Sequence, residues 1–307
     1  MIQASESGPL AGFLAASVRV ATPLLLAATG ETVTERAGVI NLGLEGAMLA
    51  GALASALGAS GAGPWTGVAA AAVGGALVSA VLAAWVVGAR ANQIVAGTAV
   101  TLACVGLTGA VYRQAFGAGG AGLSLPTLGP VRLPGLAAVP LVGPALFAQP
   151  ILTYAAAALV PLVWWGLYRT RWGLALRATG EAAPLARAAG LRVSLIRFWA
   201  TVFGGTMAGL AGASLVLAQV GTFSERMTAG RGYVAIAIVV LGRWHPGGVA
   251  LAAFLFGGAT ALQFLFQALG LAVPYQFFLM FPYLLTLLAL GRVVGRVQAP
   301  AGLAAED

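Results

Sequence analysis

The chain has 307 residues, 60% of them hydrophobic and 8% charged, with 16 Lys+Arg against 8 Asp+Glu, a net charge of +8 and a mean hydropathy of +0.95. A soluble domain carries roughly 25% charged residues, so this chain cannot clothe a globular surface and its solvent is the lipid bilayer. The positive charge does not point to nucleic acid, because the arginines stand between apolar runs, where inner-membrane proteins use them to set orientation.

Every basic residue is Arg. A phosphate-binding P-loop needs its lysine, so ATP, if it drives this protein, is bound by another subunit; a Schiff-base lysine is excluded as well. Cys104 is alone, which rules out an internal disulfide. With one Cys, one His (His245) and one Asp (Asp307), neither a metal site nor any cofactor is expected. The start, MIQASESGPL, lacks a basic n-region and does not read as a signal peptide.

Nine apolar segments follow in chain order, at about 10–30, 39–58, 65–88, 93–116, 149–168, 198–218, 232–242, 247–269 and 274–291. Most approach the roughly 20 residues that cross a bilayer as a helix, and no series of roughly 10-residue alternating strands marks a barrel. The expected fold is an all-α membrane protein, a single domain over 1–307: a polytopic helical bundle of about nine (8–10) transmembrane segments, some discontinuous. The seventh segment is too short to span alone and reads as half a helix.

The second segment carries the first chemistry. ETVTERAGVINLGLEGAMLAGA (31–52) enters the membrane through Gly38, Gly43 and Gly46, with Asn41 and Glu45 inside an apolar run. A carboxylate there costs about 3 kcal/mol on insertion scales. Glycines beside it suit a discontinuous or cavity-lining helix. Two roles stay open: Asn41 and Glu45 line a polar pathway, or Glu45 neutralises a buried arginine, with Arg19 of the first segment the candidate. In the third segment Ala71, Gly75 and Ser79 form a small-residue row, as do Gly205 with Gly209, and Gly204 with Ala208 and Gly212, in the sixth. Such rows let helix backbones approach closely in lipid.

In ANQIVAGTAVTLA (91–103), Asn92 and Gln93 stand at a helix start, a capping position, while Thr98 and Thr101 are placed further in, where they can face a pore. The Gly- and Pro-rich stretch 117–148 is expected to be an external loop with a short surface element, either capping the outer mouth or serving as a loose linker. In FSERMTAGRGYVAIAIVVLGRWHPGG (223–248), Arg231 and Tyr233 open the seventh segment and 242–248 turns back. Its Ser-Glu-Arg-x-x-Ala-Gly echoes TERAG at 34–38, as an inverted repeat would. The candidate pathway residues are therefore Asn41, Glu45, Gln93, Thr98 and Tyr233.

The stretch 169–197 is the soluble exception. Pro184 suits a first helical turn, Leu185 to Ala189 favour helix, and Gly190 suits the position just past a helix end. A helix of about two turns is expected there, marginal by itself, with arginines on its rim. It reads either as a docking element for another protein or as a solvated loop obeying the positive-inside rule. Placing this insert in the cytoplasm puts Arg36, Arg90, Arg169, Arg171, Arg177, Arg187, Arg192, Arg197, Arg243, Arg292 and Arg296 inside, against Arg113, Arg132, Arg226 and Arg231 outside. The N-terminus is then outside and the C-terminus cytoplasmic.

Gly180, Glu181, Ala182 and Ala183, followed by Arg187 and Gly190, resemble the EAA-like cytoplasmic loop of ABC-importer permeases, whose coupling helix docks on the ATPase. The TERAGVINLGLEG run, with Arg36, Gly38, Val39 and Asn41 ahead of Leu44, Glu45 and Gly46, resembles the nucleoside and simple-sugar branch of the branched-chain amino-acid, nucleoside and sugar permeases, as does VVLGRWHPGGVALAAFLFG at 239–257. The likeness runs from about residue 18 to 290. One departure is that Ala182-Ala183 stand where the family often has Asn-Pro, with Pro184 one position later. The resemblance implies a subunit that is not an enzyme, in the bacterial inner membrane. It implies as partners an ABC ATPase inside, a second, different permease chain, and an extracytoplasmic substrate-binding lipoprotein. It implies nucleoside or simple-sugar transport. Branched-chain amino-acid import is the alternative within the family. Outside it, the alternatives are an ion-coupled secondary transporter using Glu45, weakened by a lack of other acids in the spans, and a membrane enzyme, weakened by the missing His, Cys and Asp clusters.

Overall fold

A chain in lipid must satisfy its backbone within helices, and these Ala-, Leu- and Val-rich runs do so. The computed structural model describes residues 9–117, 124–132, 134–135, 139, 142–268, 280, 284 and 299–303. Helix α1 spans Pro9–Arg36, α2 Leu44–Ala62 and α3 Pro64–Ala83, the last running on as π-helix over Ala84–Gly88. Helix α4 is Gln93–Phe116. Strand β1 (Pro130–Arg132), the one-turn α5 (Val142–Leu146) and β2 (Ala148–Pro150) precede α6 (Ile151–Arg169). Helices α7 (Arg171–Glu181) and α8 (Ala183–Ala188) form the polar insert. Helix α9 (Val193–Ala213) continues as π-helix to Val220, and α10 (Arg231–Leu241) and α11 (Pro246–Ala268) follow.

Among the described residues, six helices are long and apolar enough to cross a membrane: α1, α3, α4, α6, α9 and α11. Helix α2 is central and largely buried, and α10 is a half-length helix, as its 11 residues anticipated. Eight of the nine expected segments thus fall on described helices; the ninth, 274–291, lies outside the described residues. The first segment was expected to end near residue 30 but continues to Arg36, because Thr and Glu in GETVTER turn into the protein rather than into water.

The small-residue rows explain how the helices come together. A Cβ on Gly75 would collide with the Gly205 carbonyl oxygen, and one on Gly209 with that of Ala71; Gly205 lies against the side chain of Ser79. The α3 row and one α9 row therefore face each other in register. The second α9 row turns the other way, with Gly204 on Thr34 of α1 and Gly212 on Met48 and Ala52 of α2. Glycine is required at these positions because backbone lies where a side chain would. Helix α9 is thereby wedged between α1, α2 and α3. Around it Met48, Ala211, Leu215, Ile238 and Phe256 form the main apolar cluster.

Residues 124–132 of the Gly/Pro-rich loop are packed. The Leu125 amide donates to the Gly221 carbonyl at 2.9 Å and that of Leu128 to Leu217 at 2.8 Å. Strands β1 and β2 pair antiparallel, with Val131 opposite Gln149. This part of the loop caps the end of the bundle remote from the insert, so the loose-linker reading does not describe it.

Candidate functional site

Two stretches of non-helical backbone enter the bundle and meet at Glu45. One is 37–43, between α1 and α2; the other is 221–230, between α9 and α10. Irregular backbone at membrane depth is tolerated only where it is buried in protein or lines a water-filled cavity. Glu45, in the first turn of α2, accepts from the Thr228 hydroxyl at 2.6 Å, the Gly230 amide at 2.8 Å and the Gly232 amide at 2.7 Å. The last two belong to the start of α10, where unbonded amides and the helix dipole favour an anion. A Cβ on Gly232 would lie 2.6 Å from the Glu45 Cα, so glycine brings the two helix starts together. The 11 residues of α10 rise about 16 Å, which places Glu45 well inside the bundle.

The proposed Glu45–Arg19 pair is not formed. Helix α10 supplies the positive partner as backbone amides, and Arg19 is exposed at the opposite end of the bundle. Nor is Glu45 the sole acid in the spans: Glu31 and Glu35 of α1 are both buried, so the scarcity of acids is no argument against an ion-coupled transporter.

The turn after α1 is a second polar centre. Glu31 Oε1 accepts from the Asn41 amide at 2.9 Å, pinning the returning chain against α1. The Trp244 indole N–H donates to Glu35 Oε2. Arg36 donates to the Trp244 carbonyl at 3.0 Å and the Tyr168 hydroxyl at 3.2 Å, and Arg197 to the Ala37 carbonyl at 3.3 Å. The turn thus gathers the ends of α1, α6 and α10 and the start of α9. Among the described residues Glu31 Oε2, Glu35 Oε1 and Asn41 Oδ1 are buried without a hydrogen bond. An unmade buried bond costs about 1–3 kcal/mol, so this polar packing is the part of the bundle that gains most from rearrangement.

The insert rests directly on that turn. A Cβ on Gly180 would collide with the Arg36 carbonyl oxygen and lie 3.1 Å from the Gly38 amide nitrogen. Gly38 has φ +85°, a left-handed conformation that suits glycine. Helix α8 is the expected two-turn element; it ends at Ala189, with Gly190 at φ +84°. Ala183 and Ala186 pack with Val193, leaving Leu185 and Arg187 outward. Helix α7, not expected as a separate helix, exposes Trp172 and Leu174. Glu181 Oε2 accepts from the Ala301 amide at 3.4 Å.

Of the pathway candidates, Asn41, Glu45 and Gln93 lie along the 37–45 entry: Gln93 Oε1 accepts from the Ile40 amide at 2.7 Å. Asn92 caps α4, its side chain accepting from Ile94 and Val95. Tyr233 is exposed on α10, one residue beyond Gly232. Thr98 stands apart on the exposed face of α4, its hydroxyl bonded back to the Ile94 carbonyl. Glu31, Glu35, Trp244 and Gly302 were not singled out from the sequence. The i,i+4 spacing of Glu31 and Glu35 is the signal that was available for the first two; nothing local marks the others.

Residues 13–290 match the family model described as branched-chain amino acid transport system / permease component. The chain is similar to a provisionally named glucose ABC transporter permease protein of Haloferax volcanii, 40% identical over 267 residues, covering 86% of this chain and 80% of the relative. It is also similar to the guanosine ABC transporter permease protein of Bacillus subtilis, 34% identical over 297 residues (93% and 92% covered). A nucleoside ABC transporter permease protein of Lactococcus lactis is 34% identical over 289 residues, 91% of each chain. No solved structure matches.

Proposed function

The chain belongs to the family of branched-chain amino acid transport system permease components, and from that premise we propose that it carries a nucleoside or simple sugar inward across the bacterial inner membrane. It is a multi-pass membrane permease subunit of an ABC transporter and not itself an enzyme. Permeases of this family work with an ATPase subunit and a substrate-binding protein. The substrate reading rests on the sugar and nucleoside names of the three relatives. Branched-chain amino acids, in the family's description, are the second reading.

In this reading the insert over 169–197 is cytoplasmic, the 117–148 loop external and the C-terminus cytoplasmic. Gly180, Glu181, Ala182, Ala183, Arg187 and Gly190 form the surface that the ATPase grips, with Leu185 and Arg187 presented to it. A second permease chain completes the pathway. The carrying observation is the seat of Gly180 on the Arg36–Gly38 turn. A push on α8 passes through α7 to this turn, then through the Asn41–Glu31 bond to α2, and through Glu45 to α10. Asn41, Glu45, Gln93 and Tyr233 would flank the moving junction, while Thr98 on the outer face would meet lipid or the second permease. Only an element with two arrangements can transmit such a push, and the acceptor-rich turn supplies one whose packing is incompletely satisfied.

The test is reconstitution of the complex with its ATPase and binding protein in vesicles, with uptake of labelled guanosine, glucose and leucine compared. Guanosine or glucose uptake supports the substrate class, and leucine uptake alone transfers it to the second reading. Reversal of Glu181 to Arg, or deletion of 181–190, is expected to abolish ATPase co-purification while membrane insertion persists. An intact complex with that deletion overturns the coupling assignment.

A further inference from the structure

The end of the bundle remote from the insert holds a cavity of about 260 Å³ that none of the roles above uses. Arg19 of α1, Thr127 and Leu128 of the loop, Gln149 of β2, and Gln219 and Gly221 at the end of α9 line it. Its walls are fixed. Leu128 is tied to the Leu217 carbonyl, and the Gln219 side-chain amide donates to the Arg19 carbonyl at 2.8 Å. Gln149 is 1% exposed and its amide nitrogen donates to the Ala145 carbonyl at 2.7 Å, while its Oε1 has no hydrogen bond. A buried amide oxygen without a donor is an acceptor held ready. The wall from α9 is a π-helix over Ser214–Val220, a geometry that often marks functional sites.

We propose that this cavity binds the transported solute, as a small uncharged polyhydroxy compound of one or two rings, before it enters the bundle. The inference rests on the transport reading above. The Gln149 oxygen and the carbonyls at the end of the π-helix accept hydrogen bonds, and the Arg19 guanidinium donates them. A hydroxylated ring both donates and accepts, so it satisfies both kinds of wall. An anion would meet one cation but also the unpaired Gln149 oxygen and the negative end of the helix dipole. A lipid chain would leave the buried amide unsatisfied, at a cost of about 1–3 kcal/mol. The volume lies just below the roughly 300–1,000 Å³ of pockets for drug-sized ligands, as a one- or two-ring solute requires. Arg19 lies ten residues into α1, about 15 Å along the helix. An arginine at that depth is expected to face a wet cavity.

The test uses Thr127→Cys in a Cys104→Ala background, in the complete complex in vesicles, labelled from outside with a membrane-impermeant methanethiosulfonate. Glucose and guanosine are the protecting probes, with sucrose of equal osmolarity as the control. At about ten times the dissociation constant, a bound solute slows labelling about tenfold by mass action. Adding Gln149→Leu is expected to remove the protection while the unprotected labelling rate stays the same, which also reports an intact fold; Arg19→Gln is the second variant. Loss of protection in either variant supports the site. Protection that survives both, or none with either probe, overturns it. Uptake of a probe without protection overturns the site and leaves the transport reading standing. Protection without uptake upholds the site and overturns the transport reading.

Discussion

Gly180→Ala separates docking from transmission. Gly180 lies in α7, where alanine is the better helix former by about 0.8–1 kcal/mol. Against this gain stands the Arg36 backbone. The added Cβ would collide with the carbonyl oxygen and lie 2.9 Å from the carbonyl carbon, and backbone cannot rotate away as a side-chain tip can. Restoring an ordinary carbon–oxygen approach of about 3.3–3.6 Å requires the insert to move by roughly 1 Å. Overpacking of this kind costs about 1–3 kcal/mol, so a net loss of about 1–2 kcal/mol is expected. Falling on one of two conformations, that loss shifts their ratio about tenfold. Leu185 and Arg187 are untouched, so ATPase co-purification should persist while uptake per ATP hydrolysed falls about tenfold. Gly190→Ala is the control: nothing lies within 4 Å of its Cβ, and its φ of +84° carries only a local left-handed penalty of about 1–2 kcal/mol. Wild-type uptake by Gly180→Ala would refute transmission through this seat. Loss of ATPase association would show that the glycine serves docking instead.

Glu45→Gln keeps the shape but turns a donor toward one of three donors. It should cost about 1–3 kcal/mol in thermal unfolding in detergent and loosen α10; an unchanged melting temperature would remove Glu45 as the tie between α2 and α10. Trp244→Phe strips Glu35 of its indole donor and should destabilise by about 1–3 kcal/mol. Hydrogen exchange at 36–41 would rise with it, and unchanged exchange there would contradict the linkage. Gly75→Leu drives a side chain into the Gly205 backbone and should block folding, seen as degradation of the membrane-inserted chain; normal accumulation would rule out the α3–α9 contact. Arg113→Gln breaks a pair at 2.7 Å whose side chains are 52% and 43% exposed, and should change stability by at most about 1 kcal/mol. A larger loss would mean that the pair is shielded in the assembled complex.

Composition alone determined the solvent, and runs of apolar residues determined most of the helices, because an α-helix in lipid is a local solution to a local demand for hydrogen bonds. The close α3–α9 packing was legible for the same reason: Gly75, Gly205 and Gly209 advertise backbone contact whatever the partner. The two-turn helix at Pro184 and its glycine stop were equally local. Partners were not. Glu45 could be read as a buried charge in need of compensation, and Arg19 was the obvious choice by charge, but compensation came from Gly230 and Gly232, amides about 185 residues away whose availability depends on α10 starting inside the bundle. Glu31 and Glu35 looked like the polar end of a helix until α9 and α10 closed over them, and nothing near residue 149 marks a buried amide facing a cavity. Local pattern specifies which face of a helix is apolar or small. Which polar group meets which is decided only when distant segments are brought together, since a hydrogen bond depends on ångström-scale placement that one-dimensional spacing does not carry.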